Sequence, residues 1–196
     1  MGRKIKQDQR AKRLRRTKNA AAVFTVRRRP GSKTQSLLHA YGRVFPCAMG
    51  RTGVVLKKRE GDGGTPRGRF ELLSGLWRKP LPVQRTNRLP FQPITPKDGW
   101  CDAVGDRNYN RPVPLPYPAS HERLWRADHL YDVVIVMDHN LRKRMSLGGS
   151  AIFFHLARSD DRTAEFQPTE GCIAVSPQTM ALLLPRLKPG TSIVVL

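Results

Sequence analysis

A histidine that closes one apolar run and a cysteine that opens another are the residues best placed for chemistry. Both stand in FFHLARSDDRTAEFQPTEGCIAV, as His155 and Cys172, seventeen positions apart. A thiol with a pKa of about 8.5 is mostly protonated at neutral pH, so a nucleophilic cysteine needs a base or a cation beside it. A loop joining two neighbouring strand ends would bring His155 within hydrogen-bonding reach of Cys172. Gly171 has no Cβ and lets a substrate approach the backbone. The amides of Gly171 and Cys172 would then serve as an oxyanion hole. Such a set performs acyl transfer, with the thiolate attacking a carbonyl and the imidazole taking and returning the proton. The plain alternative is a pair of packing residues in buried strands, and spacing alone leaves both readings open.

The elements that must hold this pair are mostly strands. YDVVIVM (131–137) and GSAIFFH (149–155) are apolar, β-branched runs of strand length, and CIAV begins another. AVFTVRRR reads as a strand followed by the turn PGSKT, and LLHAYGRVFPCAMG as further extended structure punctuated by Pro46 and Gly50. REGDGGTPRGRFELL holds a glycine-rich stretch, read as a tight hairpin connection, and then a short strand from about Arg69. No GK[ST] follows, so this is not a phosphate loop. Ser176-Pro177 puts a favoured cap before proline at a first helical position, which predicts a short helix over QTMALLLPRL, bent or ended by Pro185. TSIVVL closes the chain as a strand.

Between Lys79 and His121 the chain is rich in proline, which removes backbone donors and is excluded from central strands. This predicts a long irregular segment serving as a lid or wall of a cleft. Its aromatic residues, with Trp125 beyond it, would pack the segment down. Trp100 and Tyr109 are candidate substrate contacts, with core anchoring as the alternative. Arg111 reads as a cleft cation or a surface charge, and His139-Asn140 as cleft lining or a turn. His121 lies in the proline-rich wall, with no role favoured. Arg158 reads as a clamp for a substrate carboxylate or as a solvated loop charge.

A chain of 196 residues suits one domain, and 39% hydrophobic with 26% charged residues excludes wholesale disorder. The net charge of +21 is unusual. The first eighteen residues carry nine Lys/Arg and one acid, which leaves 27 basic against 14 acidic residues in the remainder. Residues 1–19 are expected to form a basic, disordered tail and 20–196 the domain. Such a field suits anionic polymers, lipids or nucleic acid. No RNP, KH, zinc-finger or helix-turn-helix pattern appears, so no specific nucleic-acid partner is expected. No segment approaches the roughly 20 apolar residues that span a bilayer, and NAAAVFTV is a poor signal-peptide core. Three cysteines, Cys47, Cys101 and Cys172, make neither a disulfide scaffold nor a zinc motif.

Thr169-Glu170-Gly171-Cys172-Ile173-Ala174 with His155 upstream resembles the signature of the YkuD-type L,D-transpeptidases: a histidine, a gap of somewhat under twenty residues, then [S/T]-H-G-C, an apolar residue and Arg or Asn. GDGGTPRGRFEL (61–72) resembles the family's G-x-x-T-P-x-G-x-F/Y segment, and the likeness covers roughly residues 20 to 196. It is nearest to the divergent Gram-negative branch ending P-T-E-G-C. The resemblance implies a mainly β fold, a YkuD-like sandwich or barrel with one or two short helices and a long proline-rich insertion. It implies catalysis by Cys172, His155 and Gly171 on peptidoglycan stem peptides, through a thioester that an amine resolves into a cross-link. Arg158, Thr169, Glu170, Tyr109, Arg111 and Asn140 would contact substrate. No metal or other cofactor is expected, and the periplasm is the expected compartment. The basic tail offers a contact for an anionic polymer.

Three departures qualify the likeness. Glu170 replaces histidine, Ala174 replaces Arg or Asn, and Leu156 replaces the small residue whose carbonyl orients the base. A carboxylate beside the thiol disfavours thiolate unless a cation such as Arg158 neutralises it. This predicts a cross-link other than that between two diaminopimelate residues. Two rival functions remain: an amidase or L,D-carboxypeptidase of the same fold that gives the thioester to water, and a basic nucleic-acid-binding protein.

Overall fold

The computed structural model describes residues 21–80, 88–159 and 165–196. The basic tail lies outside them. Fourteen strands, one α-helix and one 3-10 turn account for the described elements, β1 (Val23–Arg28), β2 (Gln35–Ala40) and β3 (Arg43–Ala48) coming first. β4 (Val54–Val55), β5 (Thr65–Pro66) and β6 (Gly68–Arg78) follow, then β7 (Phe91–Ile94), β8 (Asp98–Cys101), β9 (Arg111–Pro114) and β10 (His121–Arg123). β11 (Val133–Met137), β12 (Phe153–Leu156), β13 (Ile173–Val175), the helix α1 (Pro177–Leu183) and β14 (Ser192–Val195) complete the chain.

Eight strands close a barrel in the order β11-β12-β13-β3-β2-β1-β14-β6, with β6 pairing back to β11. Closure leaves no free edge within the ring. β6 can serve three neighbours because it runs for eleven residues: its start pairs with β14, its later part with β11, and its end with β7. Alternation along the strands sends Phe24, Val26, Leu38, Leu72, Ile135, Phe154, Ile173 and Val195 to one core. α1 adds Met180 and Leu183 to it. Its cap is as expected: the Ser176 hydroxyl accepts from Thr179 N, and Pro177 opens the first turn. Pro185 falls in a 3-10 turn over Leu184–Arg186, where the missing donor ends the α-helix.

Residues 81–87 of the proline-rich stretch lie outside the described residues; from residue 88 on it is more ordered than its composition predicts. It carries β7 and a three-stranded sheet, β10-β8-β9. Pro112 and Pro114 lie on β9, an edge strand where a missing donor costs no ladder bond, while β8 supplies the central strand as Asp-Gly-Trp-Cys. Trp100 of β8 and Leu124 join Tyr131, Val134, Val136, Phe153 and Cys172 in a second apolar cluster on the outer face of β11–β13. The glycine-rich connection is likewise not a hairpin, because β4 and β5 run parallel. Residues 56–64 form a loop between them instead.

Candidate active site

β12 and β13 are parallel neighbours, with Phe154 opposite Ile173 and His155 opposite Ala174. Side chains alternate across a strand, so Phe154, Ile173 and Val175 enter the barrel while Phe153 and Cys172 face outward. His155, two residues beyond Phe153, takes the same outward face. That spacing is roughly 6.6 Å along the strand, a gap two side chains can span. Both His155 and Cys172 line one cleft of about 650 Å³. Its opposite wall comes from the three-stranded sheet and the segment after it: Asp102, His121, Glu122, Arg123, Arg126 and Tyr131.

Cys172 is 6% exposed. Its Sγ accepts from Phe153 N at 3.3 Å and donates to the Ala151 carbonyl oxygen at 3.2 Å. Ala151 sits at φ 50°, a region that few residues with a Cβ occupy, and its N–H is held by Asn110 Oδ1 at 3.1 Å. Asn110 is buried and also takes the Trp100 indole N–H at 3.0 Å, while its own amide donates to the His139 carbonyl. One side chain therefore ties the accessory sheet to the backbone that receives the thiol proton.

The Nδ1–H of His155 donates to the Leu156 carbonyl oxygen at 2.8 Å. A carbonyl only accepts, so Nδ1 carries the proton and Nε2 is the basic nitrogen. The replacement of a small residue by Leu156 is therefore harmless to this contact, because a backbone carbonyl makes it. The Tyr131 ring meets the imidazole edge to face at 5.1 Å, and its hydroxyl donates to Glu122 Oε1 at 2.7 Å. Burial lowers the His155 pKa to about 4 and raises the Cys172 thiol to about 12. Glu122 pushes the thiol up further, whereas the Phe153 N–H, Lys58 and Arg126 pull it down. The resting pair is thus neutral imidazole and neutral thiol, with charge appearing only as the proton moves.

Gly171 has φ +139°, and a Cβ there would lie 2.8 Å from the Gly64 carbonyl oxygen. Glycine is therefore required by the backbone as well as by access. Its N–H is taken by Thr169 Oγ1 at 3.2 Å, so the expected pair of free amides is reduced to one in the resting state. Among the described residues no acceptor takes the Cys172 N–H. Thr169 is mainly a brace for this turn. Its hydroxyl donates to the Cys172 carbonyl at 2.7 Å, and its backbone exchanges bonds with Met49 and Arg51.

Arg158, Thr169 and Glu170 all line the cleft. Glu170 does not pair with Arg158. Both its oxygens accept from Arg51 Nε, at 3.0 and 2.9 Å, which offsets the repulsion expected of a carboxylate at this position. The carboxylate that acts on the thiol is instead Glu122, from the far wall, whose carboxyl burial holds above its ordinary pKa. Three expected contacts do not line the cleft. Tyr109 is buried and donates to Glu60, Arg111 is exposed at the start of β9, and Asn140 braces the 140–149 turn through Met145 and Gly149. Trp100 is a core anchor, edge to face with Phe153 at 5.1 Å. Lys58, Glu122, Arg126 and Tyr131 were missed. They carry no local motif, and only the tertiary register brings them to Cys172. Among the described residues no cluster of His, Cys, Asp or Glu is arranged to hold a metal ion.

A family model described as the L,D-transpeptidase catalytic domain, YkuD, matches residues 32–195. The chain is also similar to solved structures. An L,D-transpeptidase from Mycobacterium smegmatis matches at 18% identity and TM-score 0.43, over 90% of this chain and 59% of that one. A Bdellovibrio bacteriovorus protein matches at 14% and 0.46, over 90% and 48%. L,D-transpeptidase 1 of Mycobacterium tuberculosis matches at 14% and 0.37, over 89% and 61%. The chain thus spans about half to three fifths of the length of these proteins. No curated protein matches it.

Proposed function

The chain belongs to the YkuD family of L,D-transpeptidase catalytic domains, and on that premise we propose that it is a cysteine-dependent acyl transferase acting on peptidoglycan stem peptides in the periplasm. The observation that carries this reading is the shared outward face of β12 and β13, which presents His155 and Cys172 to one cleft. In the first half-reaction His155 Nε2 takes the Cys172 proton as sulfur attacks an amide carbonyl. The thiol proton, directed at Ala151 in the resting state, must turn to His155 as substrate enters, a tightening expected of catalytic hydrogen bonds. The Cys172 N–H is the donor supporting the tetrahedral oxygen. Collapse breaks the C–N bond, His155 returns the proton to the leaving amine, and a thioester remains. In the second half-reaction an acceptor amine attacks the thioester, loses its proton to His155, and releases the thiol with a new amide bond.

The cleft wall supports a charged substrate, with the exposed Arg158 available to a carboxylate and Asp102 to an ammonium group, while Arg126 and Glu122 are held by Asp128 and Tyr131. Water in place of the amine makes the same site a carboxypeptidase. The discriminating experiment incubates the protein with purified muropeptides and resolves products and enzyme by mass. Cross-linked dimers and a transient adduct on Cys172 are expected. Trimmed monomers alone would assign hydrolysis, and an adduct on another residue would remove Cys172 from the mechanism.

A further inference from the structure

Lys58 is a buried cation that takes no part in the proton transfers of the acyl-transfer scheme. It lies in the 56–64 loop between β4 and β5, its side chain only 5% exposed. Its ammonium pairs with the Asp62 carboxylate and donates to the Arg59 carbonyl at 2.9 Å. Asp62 is itself fixed, accepting from Arg59 N at 2.7 Å and Gly64 N at 2.8 Å. The lysine stem crosses two glycines. A Cβ on Gly149 would meet Lys58 Cγ at 2.7 Å, and one on Gly171 would lie 3.5 Å from Lys58 Cε. The charged end is thereby delivered to the residue immediately before the nucleophile, at the floor of the cleft.

We propose that Lys58, latched by Asp62, is a positioning residue that supplies the positive charge sustaining the Cys172 thiolate, a role that neither Ala174 nor the exposed Arg158 fills. The proposal rests on Cys172 being the nucleophile. Lys58 transfers no proton: the thiol proton goes to His155, and the ammonium stabilises the sulfur anion left behind. Besides the Phe153 N–H, four other titratable groups stand around that sulfur. Glu122 of β10 opposes the anion and Arg126 favours it, while Tyr131 and His155 are neutral at rest. Arg126 is also engaged by Asp128, at 2.5 Å from Nη2, and by Glu122 at 3.5 Å. Of the two cations, Lys58 acts more strongly on the thiol. Burying an ammonium is expensive, and an apolar side chain would fill the same trough over Gly149 and Gly171 at less cost. The charge, rather than the volume, needs the explanation.

The test reads Cys172 directly. The intact protein is alkylated with iodoacetamide across a pH series, and peptide mapping separates Cys172 from Cys47 and Cys101. Lys58→Met keeps the stem and removes the charge. It is expected to slow Cys172 alkylation about tenfold at fixed pH and to displace the pH–rate line upward by about one unit. Lys58→Arg should stay within about threefold of wild type, and Lys97→Ala, which removes an exposed cation outside the cleft, should leave the alkylation rate unchanged. Lys58→Gln repeats the measurement if the methionine variant fails to fold. A folded, neutral variant that alkylates at the wild-type rate, with only its melting temperature lowered, would reduce Lys58 to a loop staple and overturn the proposal. Loss of the parent reading is separable, because it would show as turnover surviving in Cys172→Ala, whereas the alkylation shift needs no turnover.

Discussion

The two faces of β12 and β13 are built from alternate residues of the same short strands, yet they obey different rules. Inward, Phe154, Ile173 and Val175 have no polar side-chain atom and sit among Phe24, Leu38 and Leu72. Outward, His155 and Cys172 are also buried, but His155 Nδ1 and Cys172 Sγ meet backbone partners, Leu156 O for the first and Phe153 N and Ala151 O for the second. Burial on the first face supplies stability by removing apolar surface from water. On the second it supplies chemistry, by holding a thiol and an imidazole away from their solution pKa values. The barrel thus fixes Cys172 by stabilising its neighbours rather than the thiol itself.

Breaking the outward face should give the largest effect. Cys172→Ala is expected to abolish adduct formation and lower turnover by about four or more powers of ten. The melting temperature should change little, and purified protein with muropeptides checks both. The inward face should respond in the opposite sense. Ile173→Ala, the very next residue, is expected to cost about 2–5 kcal/mol in urea unfolding, with near-normal turnover in the fraction that stays folded. Equal loss of activity in both variants at matched folding would show that the two faces are not separable.

Acid sharpens the same contrast. In the unfolded chain His155 titrates near 6.5, but burial lowers it to about 4 in the folded protein. Between those values the unfolded state binds the extra proton, so its contribution is intact above about pH 6.5 and is lost as pH falls toward 4. The expected loss is on the order of 3 kcal/mol, and His155→Gln should flatten that part of a denaturation series. Alkali acts on the thiols. Cys172 and Cys47 are both raised to about 12, so stability should fall as pH rises through 9 toward 12.

Smaller effects test the supports. Asn110→Ala leaves the Trp100 indole and the Ala151 amide without their shared acceptor and should cost about 1–3 kcal/mol, with a larger proportional fall in turnover than Ile173→Ala. Arg51→Ala should be the mildest change. The Arg51–Glu170 pair is largely exposed, and such pairs contribute at most about 1 kcal/mol. A change of cross-link position in that variant, read from muropeptide products, would show that Glu170 steers substrate once released.

What the sequence revealed was whatever announces itself locally. His155 and Cys172 interrupt apolar runs, and Ser176-Pro177 marks the helix. What stayed hidden depends on register across long separations. Arg51 and Glu170 are 119 positions apart, and Lys58 reaches Gly171 only after β4, β5 and β13 are in place. The proline-rich stretch misled for another reason. Proline forbids a central strand but not an edge, and composition does not say which strand of a sheet will be outermost.

The pairing of Val23 with Ser192 closes the barrel between strands 169 positions apart. At synthesis rates of roughly 5–20 residues per second, β1 would wait about 10–30 s for β14 to emerge. During that interval β1 can pair with β2 alone, and its other edge is open to any extended chain nearby. Newly made molecules should therefore pass through an aggregation-prone interval that the mature ring does not have, and slower translation would lengthen it.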